Sequence, residues 1–328
     1  YAGACGICLI GSRYCQPLPH HPIYNQVLDN HVHHGGVFDK YTAGVFLGLS
    51  DGNVIGHNRI EYLPHHAINL GSSGYGRNIV EYNEIRHACL ESHDNGAINC
   101  WMEDPHGYTE PDAQRSGHLI RYNRISDTRG CLIDSQGNFA PGGHAFGIYL
   151  DNYTSNCLVH GNLIVRSGGD GGIYVNSGKN NIIENNIVVD CVRQFSANSM
   201  VWMYPQMGDF LIGNRCCRNI FYCGRADTHL YVLGYWTDRV LGECDYNLFF
   251  NTAGGDFTIS IASEMIAQDE TIIPLADWQK WGYDRHSLIA DPMFVDPEHD
   301  DYCLRPESPA FKLGFQPIDT AGIGPRKR

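Results

Sequence analysis

Apolar and polar positions recur along this chain in one repeated phrase. The phrase has two apolar residues, two mostly polar residues, an asparagine and another apolar stretch, as in VIGHNRI, IVEYNEI, LIRYNRI, LVHGNLI and IIENNIV. These segments lack helical periodicity and are rich in Ile, Val, Tyr, Asn and Gly, which favour strands and turns. The repeat asparagines are Asn30, Asn58, Asn83, Asn123, Asn162, Asn186, Asn219 and Asn247. The pattern predicts an all-β repeat protein with two or three short strands in each unit.

The spacing of these asparagines predicts how the units stack. Successive separations are 28, 25, 40, 39, 24, 33 and 28 residues, so the shortest values set a basic unit of about 24 residues. One unit cannot bury its apolar face alone, whereas parallel copies stacked about 4.8 Å apart can. We therefore expect a right-handed parallel β-helix, a solenoid of about 8–10 coils, over residues 1–254. The asparagines are expected to form an internal hydrogen-bonded ladder.

The last part of the chain loses the repeat. IIPLADWQKWGY, residues 272–283, predicts a short helix, and the segments around it are irregular and rich in proline. Because the open end of a solenoid must be covered, we expect residues 255–328 to form a C-terminal cap.

A second phrase places candidate binding residues in columns. It reads AGVFLG, HAINLG, GAINCW, FGIYLD, GGIYVN and MVWMY. Side chains alternate faces along a strand, so an inward column of Val45, Ile68, Ile98, Ile148, Ile173 and Val201 leaves Phe46, Asn69, Asn99, Tyr149, Tyr174 and Trp202 facing outward. Exposed aromatics among amides suit a sugar chain, whose ring faces stack while its hydroxyls form hydrogen bonds. The alternative is that inserted loops cover these aromatics as a second small core.

The two longest repeats carry the candidate chemistry. Their surplus falls in loops at 102–117 and 134–144, and such insertions in a solenoid often wall a binding site. Acidic and aromatic residues concentrate on the same repeats. The expected substrate-binding residues are Glu91, His93, Asn99, Trp101, Glu103, His144, Tyr149, Tyr174, Asn176, Trp202 and Tyr204.

Asp94 and Asp151 are the candidate catalytic pair. Glycoside hydrolysis uses two carboxyl groups that flank one bond, and these two aspartates lie on adjacent coils. In the expected alignment they are seven places apart along the strand, which is about 23 Å in extended chain. The pair therefore requires a sharp bend near Asn95-Gly96, or Glu103 or Asp104 takes the place of Asp94. The alternative role for Asp94 is capping of a turn.

Composition excludes some functions. The chain has 328 residues and a formal net charge of −13, which argues against nucleic acid as a partner. No apolar run reaches the roughly 20 residues of a membrane span. We expect the thirteen cysteines to serve mainly as small buried hydrophobic residues. Seventeen histidines form no closed ligand set, so no metal or other cofactor is expected, with calcium as the exception to test.

Two segments resemble a known family. IVEYNEIRHACLESHDNGAI and, one coil later, FGIYLDNYTSN are similar to bacterial right-handed β-helix proteins close to glycoside hydrolase family 141. The segment YDRHSLIADPMFVDPEHDDYCLRPESPAFKLGF is similar to the ends of such proteins. The family includes α-L-fucosidase and xylanase activities on plant cell-wall glycans and uses a pair of aspartates, which the resemblance places at Asp94 and Asp151. This chain has Asn99 where the family usually has tyrosine.

Together these features predict a secreted or periplasmic bacterial glycoside hydrolase that acts on a plant or microbial polysaccharide. A polysaccharide lyase or epimerase on the same fold is one alternative, with Arg115, Arg121, Arg129 and His144 as its basic groups. A non-catalytic glycan-binding β-helix is the other. The chain starts with Tyr1 inside the repeat region. We therefore expect a mature form or a piece of a longer chain, with an N-terminal segment or a second copy covering the open end.

Overall fold

The protein is built from three long β-sheets, as seen in a computed structural model. The structure describes residues 2–11, 21–71, 76–102, 117–168, 171–199, 210–226, 228–262 and 270–327. Strands dominate over helices in these ranges, which confirms the all-β class. The sheets are parallel throughout, apart from one antiparallel strand at the end of the first sheet.

The first sheet carries the second phrase of the repeat. Its parallel strands are Ile7–Ile10, Ala43–Gly48, His66–Gly71, Asn95–Trp101, Ala145–Asp151, Gly171–Asn176, Arg193–Asn198, His229–Leu233 and Thr258–Ile261, and Thr271–Pro274 is the antiparallel strand. These strands are six or seven residues long around the candidate site, which makes this the widest of the three sheets there.

The other two sheets carry the asparagine phrase. The second sheet contains Gln26–Leu28, Val54–Gly56, Ile79–Glu81, Leu119–Arg121, Leu158–His160, Ile182–Glu184, Asn214–Cys217 and Leu241–Asp245. The third contains His31–His33, Arg59–Glu61, Glu84–Arg86, Arg124–Ser126, Leu163–Val165, Ile187–Val189, Ile220–Cys223, Leu248–Asn251 and Leu288–Ile289. The chain visits the first, second and third sheets in turn, and the cycle then repeats one strand further along each sheet.

The predicted inward column of the first sheet is confirmed from Val45 to Ile173, whereas Val201 lies outside the described residues. Val45, Ile68, Ile98, Ile148 and Ile173 are register partners and lie fully buried in one continuous apolar core. Isoleucine and valine fill this core because branched side chains pack well on a pleated surface. The next residue in each strand therefore faces away from the core, as alternation requires.

The predicted asparagine ladder is also confirmed. Each repeat asparagine from Asn30 to Asn219 donates its side-chain amide to the Oδ1 atom of the next, over 2.9–3.2 Å. The same Oδ1 atoms also accept the backbone N–H of the preceding asparagine, as between Asn123 and Asn162 at 3.1 Å. The ladder ends at the buried carboxylate of Asp284, which accepts from Asn247 at 2.9 Å. The buried amides of this ladder are thereby satisfied from repeat to repeat.

A second ladder is formed by residues that lie five positions before each asparagine of the first, and the sequence reasoning missed it. Asn25, Asn53 and Asn78 are joined by side-chain hydrogen bonds of 3.0 Å. His118 and Cys157 take the equivalent places in the two long repeats, and asparagines resume at 181 and 214. The signal was the recurrence of asparagine five residues before the main one, as in NVIGHN, NIVEYN and NIIENN.

One left-handed residue precedes each asparagine of the main ladder. Tyr82 and Tyr122, for example, have φ values of 53° and 55°. A non-glycine residue in this conformation costs roughly 1–2 kcal/mol, so a surrounding structure must hold it in place. The hydrogen bonds of the following asparagine supply that restraint and fix the turn between the second and third sheets.

The C-terminal segment does more than cap one end. The helix Leu275–Lys280 buries Leu275 and Trp278 against the end of the main core, as a cap should. The predicted helix over 272–283 is shorter than expected, because 271–274 pair as a strand. The short pair Phe294–Asp296 and Asp301–Leu304 and the 3₁₀ helices Pro297–His299 and Pro309–Leu313 follow.

Residues beyond the cap return along the outside of the third sheet. Phe294, Tyr302, Leu313 and Phe315 pack with outward residues of that sheet in a second apolar cluster. The tail then reaches the first coil, where the guanidinium of Arg326 pairs with Asp29 at 2.6 Å. The expectation of a single cap over 255–328 is therefore wrong for the part after the helix, because the outer face of the third sheet is apolar and needs a cover.

One register assignment was also wrong. The phrase MVWMY was expected to follow GGIYVN in the first sheet, but the strand there is Arg193–Asn198. Phe195 pairs with Ile173, and Ser196 pairs with Tyr174. The places expected for Trp202 and Tyr204 are thus taken by Ser196 and Asn198, and both aromatics lie outside the described residues.

The second insertion forms a hairpin. Cys131–Ile133 pairs antiparallel with Phe139–Pro141, and Asp134 closes the turn by accepting from the backbone of Gln136 and Asn138. Most of the first insertion, residues 103–116, lies outside the described residues. Among the helices that are described, none is long and apolar enough to cross a membrane.

The main ladder predicts a stability test at Asn162. Alanine there removes bonds to Asn186, to the Ile120 carbonyl and to Asn123, and leaves buried polar groups unpaired. We expect a loss on the order of 3 kcal/mol in the free energy of unfolding, measured with urea. Asn30→Ala is the matched control, because Asn30 is only partly buried at the first coil and should cost on the order of 1 kcal/mol. Equal losses at both positions would contradict a cooperative ladder.

Candidate active site

Asp94 lies at a tight turn immediately before the strand Asn95–Trp101. Its φ of 56° places it in the left-handed region, which aspartate tolerates better than most residues. Asn95 anchors the turn by donating its side chain to the Ser92 hydroxyl over 2.7 Å and its backbone N–H to the His144 carbonyl over 3.0 Å. The bend predicted for Asn95-Gly96 therefore occurs one residue earlier, and it turns the exposed Asp94 carboxylate back over the sheet.

Asp151 ends the neighbouring strand Ala145–Asp151. Its Oδ1 accepts the Asn176 side chain and the Asn152 backbone N–H, each over 2.8 Å. Burial, and next the charge of Asp94, raise the pKa of the Asp151 carboxyl to about 6, although these hydrogen bonds act in the opposite direction. The Asp151 side chain is therefore a carboxyl group that holds a proton in mildly acidic solution.

Tyr149 interacts with both aspartates. Its hydroxyl donates to Asp94 Oδ1 over 3.3 Å, and its interaction with Asp151, two residues further along the same strand, partly offsets the rise in the pKa of that carboxyl. The charge of Asp94 also raises the pKa of the Asp151 carboxyl, and both aspartates border the same cavity. The structure therefore brings Asp94 and Asp151 to one site despite the seven-place offset.

Gly96 makes this arrangement sterically feasible. A Cβ atom at Gly96 would lie 2.7 Å from the Tyr149 Cβ and 2.8 Å from the Ile98 carbonyl oxygen. Any larger residue would push the two strands apart or displace Tyr149. The Asp-Asn-Gly sequence is therefore explained by two separate needs: a left-handed turn at Asp94 and a close strand contact at Gly96.

The aspartates border a cavity of about 560 Å³ on the outer face of the first sheet. Volumes of about 300–1,000 Å³ are usual for ligand sites. Its floor comes from the outward residues of successive strands, and its walls from the surrounding turns. The lining residues are Ile10, Tyr41, Phe46, Gly48, Leu49, His66, Asn69, Gly71, Asp94, Asn99, Trp101, Asp151 and Asn152.

Two predicted binding aromatics are covered rather than exposed. Tyr149 and Tyr174 stack with Phe146, at centroid distances of 4.5–5.0 Å, in a small buried cluster outside the main core. Their outward direction is confirmed, but the expectation that they face solvent is wrong. The second-core alternative describes them better, because ring stacking along the column buries their faces. Tyr149 keeps its hydroxyl at the aspartates.

The remaining predicted residues are divided between the cavity and its edge. Asn99 and Trp101 line the cavity, and Asn176 contacts Asp151. His93 and His144 are exposed beside the hairpin, while Glu91 is exposed and ion-paired with Lys40 over 3.0 Å. Glu103 and Asp104, like Trp202 and Tyr204, lie outside the described residues.

Sequence reasoning missed two histidines that hold the turn of Asp94. His65 Nδ1 lies 2.7 Å from the Ser92 hydroxyl, and His66 Nδ1 lies 3.0 Å from the Gly96 carbonyl oxygen. Burial lowers the pKa of His65 to about 4 and holds that of His66 well below its ordinary value. Both rings are therefore neutral near pH 7 and act as hydrogen-bonding supports. Tyr41 packs on His65 with a centroid distance of 4.3 Å.

Within the described ranges, no group of three or more His, Cys, Asp or Glu residues is arranged to hold a metal ion. Calcium binding stays a prediction, to be tested by thermal denaturation with and without a chelator. The cysteines are free thiols in the described part, and most are buried, including Cys89, Cys100, Cys157 and Cys191.

Comparisons with protein-family models, curated proteins and solved structures found no match to this chain. The candidate function therefore depends on the geometry of the cavity and of the two aspartates.

The raised pKa of Asp151 predicts a pH-dependent effect of Asp151→Asn. A folded-state pKa above the unfolded value of 3.8 means that the native state loses stability as pH rises through about 6. Asparagine carries no charge, so the variant should melt at a higher temperature than the wild type at pH 8 and at the same temperature near pH 4.

Asp134→Asn is the control of opposite sign. Hydrogen bonds from Asn138 lower the pKa of Asp134, so this substitution should lower the melting temperature at pH 8. Differential scanning calorimetry measures both effects. A lower melting temperature for Asp151→Asn at pH 8 would contradict a buried, destabilised carboxylate.

Proposed function

We propose that this chain is a glycoside hydrolase in which Asp94 and Asp151 flank the scissile bond of a polysaccharide. The observation that carries the proposal is the placement of both carboxyl groups at the edge of one cavity, where Asp94 accepts from the Tyr149 hydroxyl and the charge of Asp94 raises the pKa of Asp151. Two neighbouring aspartates in different environments suit acid–base catalysis on one bond. Asp151 is the proton donor to the leaving oxygen, because its raised pKa keeps it protonated in mildly acidic solution.

Asp94 then supplies the second carboxylate. It either attacks the anomeric carbon or activates a water molecule, according to the separation that the bound substrate imposes. Tyr149 positions Asp94 through its hydrogen bond, and Asn176 positions Asp151. Trp101 is the register partner of Asp151 and lines the cavity, so its ring is available to stack on a sugar face next to the acid.

The right-handed parallel β-helix is part of the same proposal. The regular cycle through three sheets and the two asparagine ladders support a solenoid of about 8–10 coils. In such a solenoid the cavity lies on the side of one broad sheet, where a long glycan can lie across several coils. An experimental structure that showed the three sheets unstacked would contradict this part of the proposal.

The lyase or epimerase alternative has less support from the described residues. Its proposed basic group Arg121 belongs to the second sheet and is paired with Glu81 over 2.7 Å. Arg115 lies outside the described residues, and Arg129 and His144 are exposed. The cavity itself contains two carboxyl groups, which repel the uronate that such enzymes bind.

An extracellular or periplasmic location and an additional cover for the first coil also remain proposals. Ile10 and Phe38 at that end are 59% and 89% exposed, which supports a cover by an N-terminal segment or a second copy. The proposed cover is tested by light scattering, which compares the molecular mass of the native secreted protein with that of this chain alone. A monomer without additional sequence would contradict it.

The first functional prediction concerns the two aspartates. On a panel of plant and microbial glycans, Asp94→Asn and Asp151→Asn should each lower kcat by roughly 10²–10⁴-fold, because each removes a group that acts in the transition state. Asp277→Asn, on the exposed face of the C-terminal helix, is the control and should keep full activity. Unsaturated products would favour a lyase, glycan binding without turnover would favour an adhesin, and full activity in both site variants would refute the assignment.

The second functional prediction concerns pH. Hydrolysis requires a protonated Asp151, so kcat should fall as pH rises, with an alkaline limb near pH 6. Initial rates between pH 3 and pH 9 would measure this limb. A rate that continues to rise above pH 7 would exclude Asp151 as the acid.

A further inference from the structure

The floor of the cavity is a column of three outward side chains. Phe46, Asn69 and Asn99 are register partners on adjacent strands of the first sheet, and all three line the cavity. The cavity extends from Asp94 and Asp151 toward the first-sheet edge, where Ile10 also lines it. A ligand in this space therefore lies to one side of the two carboxyl groups rather than across the whole sheet.

Two amide oxygens of this column lack hydrogen-bond partners in the described part of the chain. Asn99 is 4% exposed, yet its Oδ1 has no partner among the described residues, and the Oδ1 of Asn69 is also buried without one. Leaving such a group unpaired costs about 1–3 kcal/mol. The ladder asparagines, by contrast, satisfy their buried amides from repeat to repeat. Asn95 and Gln194 also have a buried, unpaired amide oxygen, but neither residue lines the cavity. Unpaired amides beside a cavity are therefore best explained by a partner that arrives with the ligand.

We infer that the cavity binds an uncharged, hydroxyl-rich sugar unit, and that the side-chain amides of Asn69 and Asn99 are its hydrogen-bonding partners. The inference rests on the proposed function, since it names the substrate class of that site. Asn69 and Asn99 lie on adjacent strands about 4.8 Å apart, and neighbouring hydroxyls on one sugar ring match two amides at such a spacing.

Charge in the cavity argues for an uncharged sugar. Two titratable carboxyl groups, Asp94 and Asp151, border it, and the buried imidazole of His66 is neutral near pH 7. Lys40, next to Tyr41 in the sequence, is already ion-paired with Glu91 over 3.0 Å. A uronate carboxylate would therefore meet negative charge without a free cation among the described lining residues.

Aromatic residues complete the site. Phe46 contributes to the floor, Trp101 stands beside Asp151, and the 78%-exposed Tyr41 forms a wall. Rings of this kind pack against the apolar C–H face of a sugar, while the amides bind its hydroxyl edge. The cavity thus offers one apolar surface and one polar surface, as an uncharged pyranose requires.

Binding is tested in the Asp151→Asn background, so that no turnover interferes. The probes are five neutral sugars, glucose, galactose, mannose, xylose and fucose, and three uronates, glucuronate, galacturonate and mannuronate, all at the same concentration. Binding is detected by saturation-transfer NMR, and the affinity is measured by titration of tryptophan fluorescence. We expect at least one neutral sugar to bind and its uronate to bind at least tenfold more weakly. Failure of every neutral sugar to bind, or tighter binding of a uronate, would overturn the inference.

Asn69→Leu and Asn99→Leu, added separately to this background, test the amides. Each should weaken binding of the neutral sugar by about tenfold, the effect of one lost hydrogen bond. The melting temperature should stay the same or rise, because leucine replaces an unsatisfied amide with an apolar group of similar shape. Asn251→Leu, at a strand end away from the cavity, is the control for binding. It should leave sugar binding unchanged and lower the melting temperature, because it removes the bonds to the Arg225 carbonyl and the Ala253 N–H.

Asn99→Ala serves as a second variant in case leucine is too bulky. Unchanged sugar binding in folded variants of both asparagines would overturn the inference. The hydrolase proposal is tested separately. If Asn69→Leu and Asn99→Leu in the otherwise wild-type chain hydrolyse glycans at the normal rate, the cavity inference fails while the hydrolase stands. If sugars bind through the amides but no glycan is cleaved, the hydrolase fails while the cavity inference stands.

Discussion

Buried asparagine amides tie each repeat of this chain to the next. Each amide donates to the Oδ1 of the next repeat and accepts from the previous one, so all of them are paired only when the strands are in register. A slip by one residue would leave the amides unpaired and would turn the apolar column outward. The ladders therefore fix the register of successive repeats, and with it the columns of the first sheet.

The candidate site depends on this register but is built from departures from the repeat. Ordered columns place Tyr149 beside Asn99 and Asp151 beside Trp101. The left-handed turn at Asp94, held by His65, Ser92 and Asn95, then turns a second carboxylate toward Tyr149. The regular repeats supply the sheet surface, and the two irregular repeats place the two candidate carboxyl groups on it, as is common where function is added to a scaffold.

The sequence predicts the scaffold well, because its physics is local and repeated. Strand alternation identifies the buried column through Ile148 and Ile173, and the spacing of Asn83 and Asn123 identifies the ladder. Two errors arose where long-range packing decides the outcome. Tyr149 and Tyr174 are covered because they stack with Phe146, and the tail runs along the third sheet because Phe294 and Leu313 pack there. MVWMY was misaligned because RQFSAN, a less apolar segment, forms the strand. The approach of Asp94 to Asp151 depends on a single positive φ, which spacing alone does not reveal.

The coupling of Asp94 to Asp151 is the central claim, and carboxyl ¹³C NMR measures it directly. The Asp151 signal, assigned by its loss in Asp151→Asn, is titrated in the wild type and in Asp94→Asn. The account predicts a midpoint near pH 6 in the wild type and a lower one in Asp94→Asn, because removal of the nearby charge makes ionisation easier. A wild-type midpoint near the ordinary value of 3.8, or one that Asp94→Asn leaves unchanged, would show that the two carboxyl groups do not act as a pair.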